Sequence, residues 1–157
     1  MSEIISFHLD GQAHSQELDP NAKLLYTIRN DCDAKEVRFG CGAGNCGACT
    51  VLIDGMPEQS CTVPNWAVAD KKVTTAAGLK EDAIGKLVLD AFIEEQAAQC
   101  GFCINGILMS VTALLKKTTK PNKEQVNESI NRHLCRCGTH LRILRAIDRV
   151  IHQLSTS

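Results

Sequence analysis

Cys41-Gly42-Ala43-Gly44-Asn45-Cys46-Gly47-Ala48-Cys49 places three cysteines at C-x4-C-x2-C spacing inside a glycine-rich loop. So much glycine disfavours helix or strand, so residues 40–47 read as loop, with a strand predicted at 50–53. Gly40, Gly42, Gly44 and Gly47 permit positive φ and remove the Cβ atoms that would block close approach to the sulfurs. Successive backbone N–H groups can then face a negatively charged group held by the thiolates. Asp54-Gly55 predicts a hairpin turn, and Cys61 on its return strand is well placed to supply a fourth thiolate.

The spacing is that of the 2Fe–2S loop of plant-type ferredoxins. Structural zinc usually takes paired C-x2-C knuckles, which fit this loop poorly. Cys41, Cys46, Cys49 and Cys61 are therefore read as the ligands of one 2Fe–2S cluster.

A second group follows. Cys100-Gly101-Phe102-Cys103 lies between two predicted helices, and Cys135-Arg136-Cys137 between the next two. Four thiolates at helix ends can converge on one cofactor, with helix N-termini favouring its negative charge. Taken alone, the spacing leaves zinc and iron–sulfur equally open, and no βαβ context supports a thioredoxin-like pair. Combination with the first group favours a second 2Fe–2S cluster.

Outward from these groups, periodicity divides the chain. Ile5, Phe7 and Leu9 alternate with polar residues, and Asp10-Gly11 predicts a hairpin. A short helix is predicted next, capped by Asp19, with Pro20 at its first position and Leu24, Leu25 and Ile28 on one face. The return strand of the second hairpin is expected to run through Cys61-Thr62-Val63. Beyond about residue 75, helical spacing takes over. Ile84, Leu87, Val88, Ala91 and Phe92 form one stripe, and Ile104, Ile107, Leu108, Val111, Leu114 and Leu115 another. A helix over 123–133 is capped by Asn122 and turns Val126 and Ile130 inward. A last helix over 141–154 carries Leu144, Ile147 and Ile151. The expected fold is α+β: a β-grasp, plant-type ferredoxin-like domain over 1–76, then a four-helix 2Fe–2S-binding bundle over 77–157.

The 157 residues, 44% of them hydrophobic, suffice for one average domain or two small ones. A net charge of −1 supplies no general attraction to nucleic acid or anionic membrane. Aromatic content of 4% is low for a base-stacking platform. The N-terminus lacks a basic region and an apolar core, and the apolar run at 107–115 is too short to span a bilayer. A cytoplasmic setting is therefore expected, where nine cysteines read as metal ligands rather than disulfides.

Both motifs, in this order and at this separation, resemble the iron–sulfur subunit of the xanthine oxidase family of molybdenum hydroxylases. The motifs that carry the likeness are the Cys41–Cys49 loop, Gln99-Cys100-Gly101-Phe102-Cys103 and Leu134-Cys135-Arg136-Cys137-Gly138-Thr139. The likeness covers about residues 4–152 and is greatest to the small subunits of nicotinate dehydrogenase and isoquinoline oxidoreductase. Residues 92–99 and Gly138-Thr139-His140 lean to the nicotinate type, although many relatives carry Tyr where this chain has His140.

The resemblance implies an electron-transfer subunit with no catalytic residue of its own. It implies a large partner subunit holding molybdopterin, with Gln99 and Cys137 at the pterin edge. The Cys100/Cys103/Cys135/Cys137 cluster would receive electrons first, and the Cys41/Cys46/Cys49/Cys61 cluster would pass them on. The acceptor would be a flavin (FAD) subunit or a haem cytochrome, the latter drawing the complex to the inner membrane without insertion of this chain. The substrate would be an N-heteroaromatic such as nicotinate, with an aldehyde as the alternative. A free-standing two-cluster carrier and a zinc-stabilised binding module are the competing classes. Colour, metal content and co-purification of a molybdenum-containing chain discriminate among them.

Cys32 reads as a small packed hydrophobe. His133 and His140 are set aside as Rieske-type ligands because eight cysteines are available. Trp66 is expected to pack between the domains. Of the basic run Arg132, Arg136, Arg142, Arg145 and Arg149, Arg136 and Arg142 are candidates for the partner's docking surface.

Overall fold

A computed structural model describes residues 1–156. Two Asp-Gly pairs shape the sheet. Asp10 and Gly11 have φ of 49° and 83°, and Asp54 and Gly55 have 49° and 84°. Positive φ at both central residues matches the right-handed twist of the flanking strands. The first pair joins β1 (Glu3–Leu9) to β2 (Gln12–Leu18), and the second joins β3 (Thr50–Ile53) to β4 (Met56–Gln59). Strand β5 (Lys72–Thr74) lies between the hairpins, parallel to β1 and antiparallel to β3, giving the order β2-β1-β5-β3-β4. Ile5, Phe7 and Leu9 all face one core with Leu24, Leu25 and Ile28.

The first half of the chain departs from two local expectations. The helix does not begin at Asp19. That carboxylate accepts from the Asn21 amide at 2.9 Å and closes a turn. Lys23 is extended and bridges to Pro64, so α1 is confined to Leu24–Tyr26 and runs into a π-helical turn, Thr27–Asp31. The return strand stops at Gln59, because the Thr62 amide folds back onto the Gln59 carbonyl at 2.9 Å. Cys61 therefore sits in a turn beyond β4.

The second half is helical. Asp82 caps α2 (Ala83–Glu94) by accepting from the Gly85 amide at 2.8 Å. Helix α3 spans Ile104–Lys117. Helix α4 (Lys123–Ile130) starts in a capping box of Asn122 and Gln125, as the Asn122 expectation required. It ends before residue 133, where the His133 amide turns back to the Ile130 carbonyl at 2.9 Å. Helix α5 runs His140–Thr156. Its buried stripe is Ile143, Ala146, Ile147 and Val150, so the predicted stripe is offset, with Leu144 and Ile151 on its flank. These helices share a second core, centred on Val88, Ile107, Met109, Val111 and Leu115, to which Leu52 of the sheet also belongs.

The two halves join at buried Thr75, whose amide donates to Asp10 Oδ1 at 2.7 Å. Trp66 is not in that joint. Its amide bonds the Pro20 carbonyl at 3.1 Å in a 3-10 turn, Asn65–Val68, and its side chain is exposed. No helix among the described residues is long and apolar enough to cross a membrane.

Candidate metal centres

The glycine loop wraps its own sulfurs. The amides of Ala43 and Asn45 donate to Cys41 Sγ at 3.4 and 3.2 Å, and the Gly44 amide donates to Cys61 Sγ at 3.2 Å. The Cys41 amide reaches Cys46 Sγ at 3.3 Å. Positive φ at Gly42, Gly44 and Gly47 turns these N–H groups inward. Gly40 acts differently: a Cβ there would stand 2.6 Å from Cys46 Sγ. The loop is thus a cradle around sulfur that a side chain at Gly40 would fill.

The thiols meet in pairs, Cys41 with Cys46 and Cys49 with Cys61. The Ala43 and Asn45 amides hold the exposed Cys41 thiol down to about 6, whereas burial pushes the Cys49 thiol up to about 11.

The second group comes from two distant segments. Cys103 is the N-cap residue of α3, and Cys135 and Cys137 lie in the turn before α5. Cys100 contacts Cys137, and Cys103 contacts Cys135. Burial pushes the Cys103 thiol up to about 12, with the neighbouring Cys135 sulfur adding to it. Burial also opposes ionisation of Cys135, but the Thr139 hydroxyl, 3.5 Å away, and nearby amides outweigh it and lower that thiol to about 7. The Phe102 amide and Cys137 lower Cys100. Each group therefore holds a thiol that ionises near neutral pH and one that stays protonated there until a metal displaces its proton.

Paired thiols in both groups, amides aimed at sulfur and a loop kept clear of a Cβ at Gly40 suit a two-iron cluster held by four thiolates. No three metal-type donors gather around one point among the described residues. All nine cysteines are free thiols. Cys32 is half-buried beside Gln16 Nε2 at 3.8 Å, apart from both groups.

The groups approach each other across the joint between the two halves. The Leu134 amide donates to the Cys46 carbonyl at 3.1 Å, and Asn105 on α3 donates to the Glu36 carbonyl. His133 is buried there, with Nε2 2.8 Å from Ser110 Oγ, so it is not directed at the thiols. Burial lowers its pKa to about 4, leaving the ring neutral at pH 7. Sequence reading quoted Thr139 only as part of a motif and missed Ser110 and Gly106; of these two, only Gly106, a glycine inside an apolar helical pattern, carried a signal of close approach.

Around the second group, Phe102, Leu134 and Leu141 are exposed, as are Gln99 and Arg136, and Cys137 is half-buried. Arg149 is paired with Glu94 at 2.9 Å and with Glu95 at 2.8 Å, and Arg145 approaches Glu95 at 3.7 Å. His140 is exposed at the start of α5.

Residues 7–77 match the family described as "2Fe-2S iron-sulfur cluster binding domain", and residues 75–148 match the "2Fe-2S binding domain". Over 149 residues the chain is 44% identical to one of the subunits of nicotinate dehydrogenase from Pseudomonas putida, covering 95% of each. It is 44% identical over 147 residues to the alpha chain of isoquinoline 1-oxidoreductase from Brevundimonas diminuta, covering 93% of this chain and 96% of that one. A solved structure of quinoline 2-oxidoreductase from Pseudomonas putida 86 superposes with a TM-score of 0.88 at 29% identity, covering 99% of this chain and 98% of that chain.

Proposed function

The chain belongs to the xanthine oxidase family of molybdenum hydroxylases as one of its iron–sulfur subunits, and from that premise we propose that Cys41, Cys46, Cys49 and Cys61 hold one 2Fe–2S cluster and Cys100, Cys103, Cys135 and Cys137 the other. The carrying observation is the pairing of Cys100 with Cys137 and of Cys103 with Cys135 between segments far apart in sequence. When bound, the clusters supply one-electron carriers between the molybdopterin centre of a large partner chain and an outside acceptor.

The rest of the work falls to this chain's own groups. The amides of residues 41, 43, 44 and 45 stabilise thiolate charge at the first site. The Thr139 hydroxyl does the same for Cys135 at the second. Burial of Cys49 and Cys61 at the first site and of Cys103 at the second keeps water from those ligands. Residues 1–76 serve as the ferredoxin-like unit and residues 77–157 as the helical unit of the subunit.

The large subunit docks at the second site, with Gln99 and Cys137 facing the pterin. Exposed Phe102, Leu134 and Leu141 support this, since neighbouring large apolar side chains left in water mark interaction surfaces. The first site, with exposed Cys41, faces the acceptor, a flavin subunit or a cytochrome. The substrate class is an N-heteroaromatic such as nicotinate, supported by the names of the two 44%-identical relatives.

Native co-purification with metal analysis tests this reading. Iron in this chain together with a much larger molybdenum-containing partner supports it. Zinc in place of iron, or isolation as a free carrier, overturns it.

A further inference from the structure

We propose that His133 is a positioning residue that holds the two cysteine groups at a fixed separation; the proposal rests on the two-cluster reading above. The ring is 6% exposed and is wedged among three segments that each carry cysteines. Its Nε2 lies 2.8 Å from Ser110 Oγ on α3, the helix that begins after Cys103. Its Nδ1 faces Gly47, between Cys46 and Cys49. Its own backbone leads through Leu134 to Cys135, and the Leu134 amide is bonded to the Cys46 carbonyl at 3.1 Å.

The slot exists because two glycines meet in it. A Cβ on Gly47 would stand 2.3 Å from Nδ1, and one on Gly106 would stand 2.1 Å from the Gly47 carbonyl oxygen and 3.0 Å from Nδ1. Backbone therefore touches backbone beside the ring, where any side chain would push the loop and α3 apart. The Gly47 backbone lies close to the imidazole Nδ1, yet no hydrogen bond of normal geometry satisfies that nitrogen among the described residues. A buried nitrogen left unpaired is unfavourable for stability alone. The ring's hold on this site therefore rests on its shape and on Ser110. Electron exchange between two sites falls steeply with distance, so a side chain that sets the separation sets the rate without touching a cluster.

The test uses the full-length, iron-loaded protein in its complex and compares His133→Ala, His133→Gln and Ser110→Ala. Low-temperature EPR of the fully reduced protein reads the magnetic splitting between the two centres, and iron analysis reads occupancy. Full iron content with altered splitting in His133→Ala is expected, with the splitting recovered in His133→Gln, whose amide can reach Ser110. Ser110→Ala should shift the splitting in the same direction by a smaller amount. Wild-type splitting in His133→Ala, or equal iron loss in the Ala and Gln variants, overturns the positioning role. Should His133→Ala not fold, unchanged splitting in Ser110→Ala overturns it equally. Iron-free wild-type protein would instead sink the cluster reading itself.

Discussion

The Leu134 amide and the Cys46 carbonyl, 3.1 Å apart, join the turn before α5 to the glycine loop, so the two cysteine groups are linked through one hydrogen bond and the backbone beside it. Gly106 borders this contact, and the atom that a Cβ there would meet is backbone oxygen, which cannot swing aside. Gly106→Ala is therefore expected to destabilise the protein by about 1–3 kcal/mol as an overpacked interior site. Denaturant unfolding checks this, and an unchanged midpoint contradicts the close approach.

Replacing a single thiolate should empty one centre and spare the other. Cys46→Ser is expected to halve the iron content, remove one of two EPR signals and lower the melting temperature, because ligand binding and folding are coupled. Cys103→Ser should remove the other signal. Loss of both signals in either variant would mean that the eight cysteines do not divide as proposed.

Gly40 bears on the first centre through space rather than as a ligand. Gly40→Ala puts a methyl group 2.6 Å from Cys46 Sγ. Iron loading of the first centre should fall while the second centre's EPR signal persists. Equal loading of both centres in the variant would show that the cradle yields.

Asp82 supplies a pH-dependent contribution. Burial opposes its ionisation, but Lys116 and the Gly85 amide outweigh that and lower its pKa. Asp82→Ala should cost about 1 kcal/mol at neutral pH through the lost cap. A carboxyl group with a depressed folded pKa contributes stability above its ordinary value of about 3.9, and that contribution is lost as pH falls through the lower folded value. The gap between variant and wild type in urea titrations should therefore close in acid. A gap independent of pH would contradict the ionic part.

Arg142 tests the docking face. Arg142→Glu should reduce co-purification of the large subunit while leaving iron content intact. Undiminished recovery of the complex would move the docking surface elsewhere. Arg149 is a poorer choice, since Glu94 and Glu95 already engage it.

Much was legible in one dimension. Each Asp-Gly pair favours positive φ, so both hairpin turns could be placed from the local sequence alone. The C-x4-C-x2-C loop carried its chemistry in its spacing, and helical periodicity located α2, α3 and α5. Where local rules misled, a distant partner intervened. Lys23 was drawn into a bridge with Pro64, which delayed α1. The offset of the α5 stripe was decided by which face met the other helices.

The sequence by itself determined the two hairpin turns, the long helices and the cysteines proposed here as iron ligands, because turn chemistry, periodicity and ligand spacing act over a few neighbouring residues. Tertiary structure alone decided that Cys100 meets Cys137, that Cys103 meets Cys135, and that His133 fits between Gly47 and Gly106. Those meetings depend on how two cores pack against each other, and no local pattern in the chain encodes that distance.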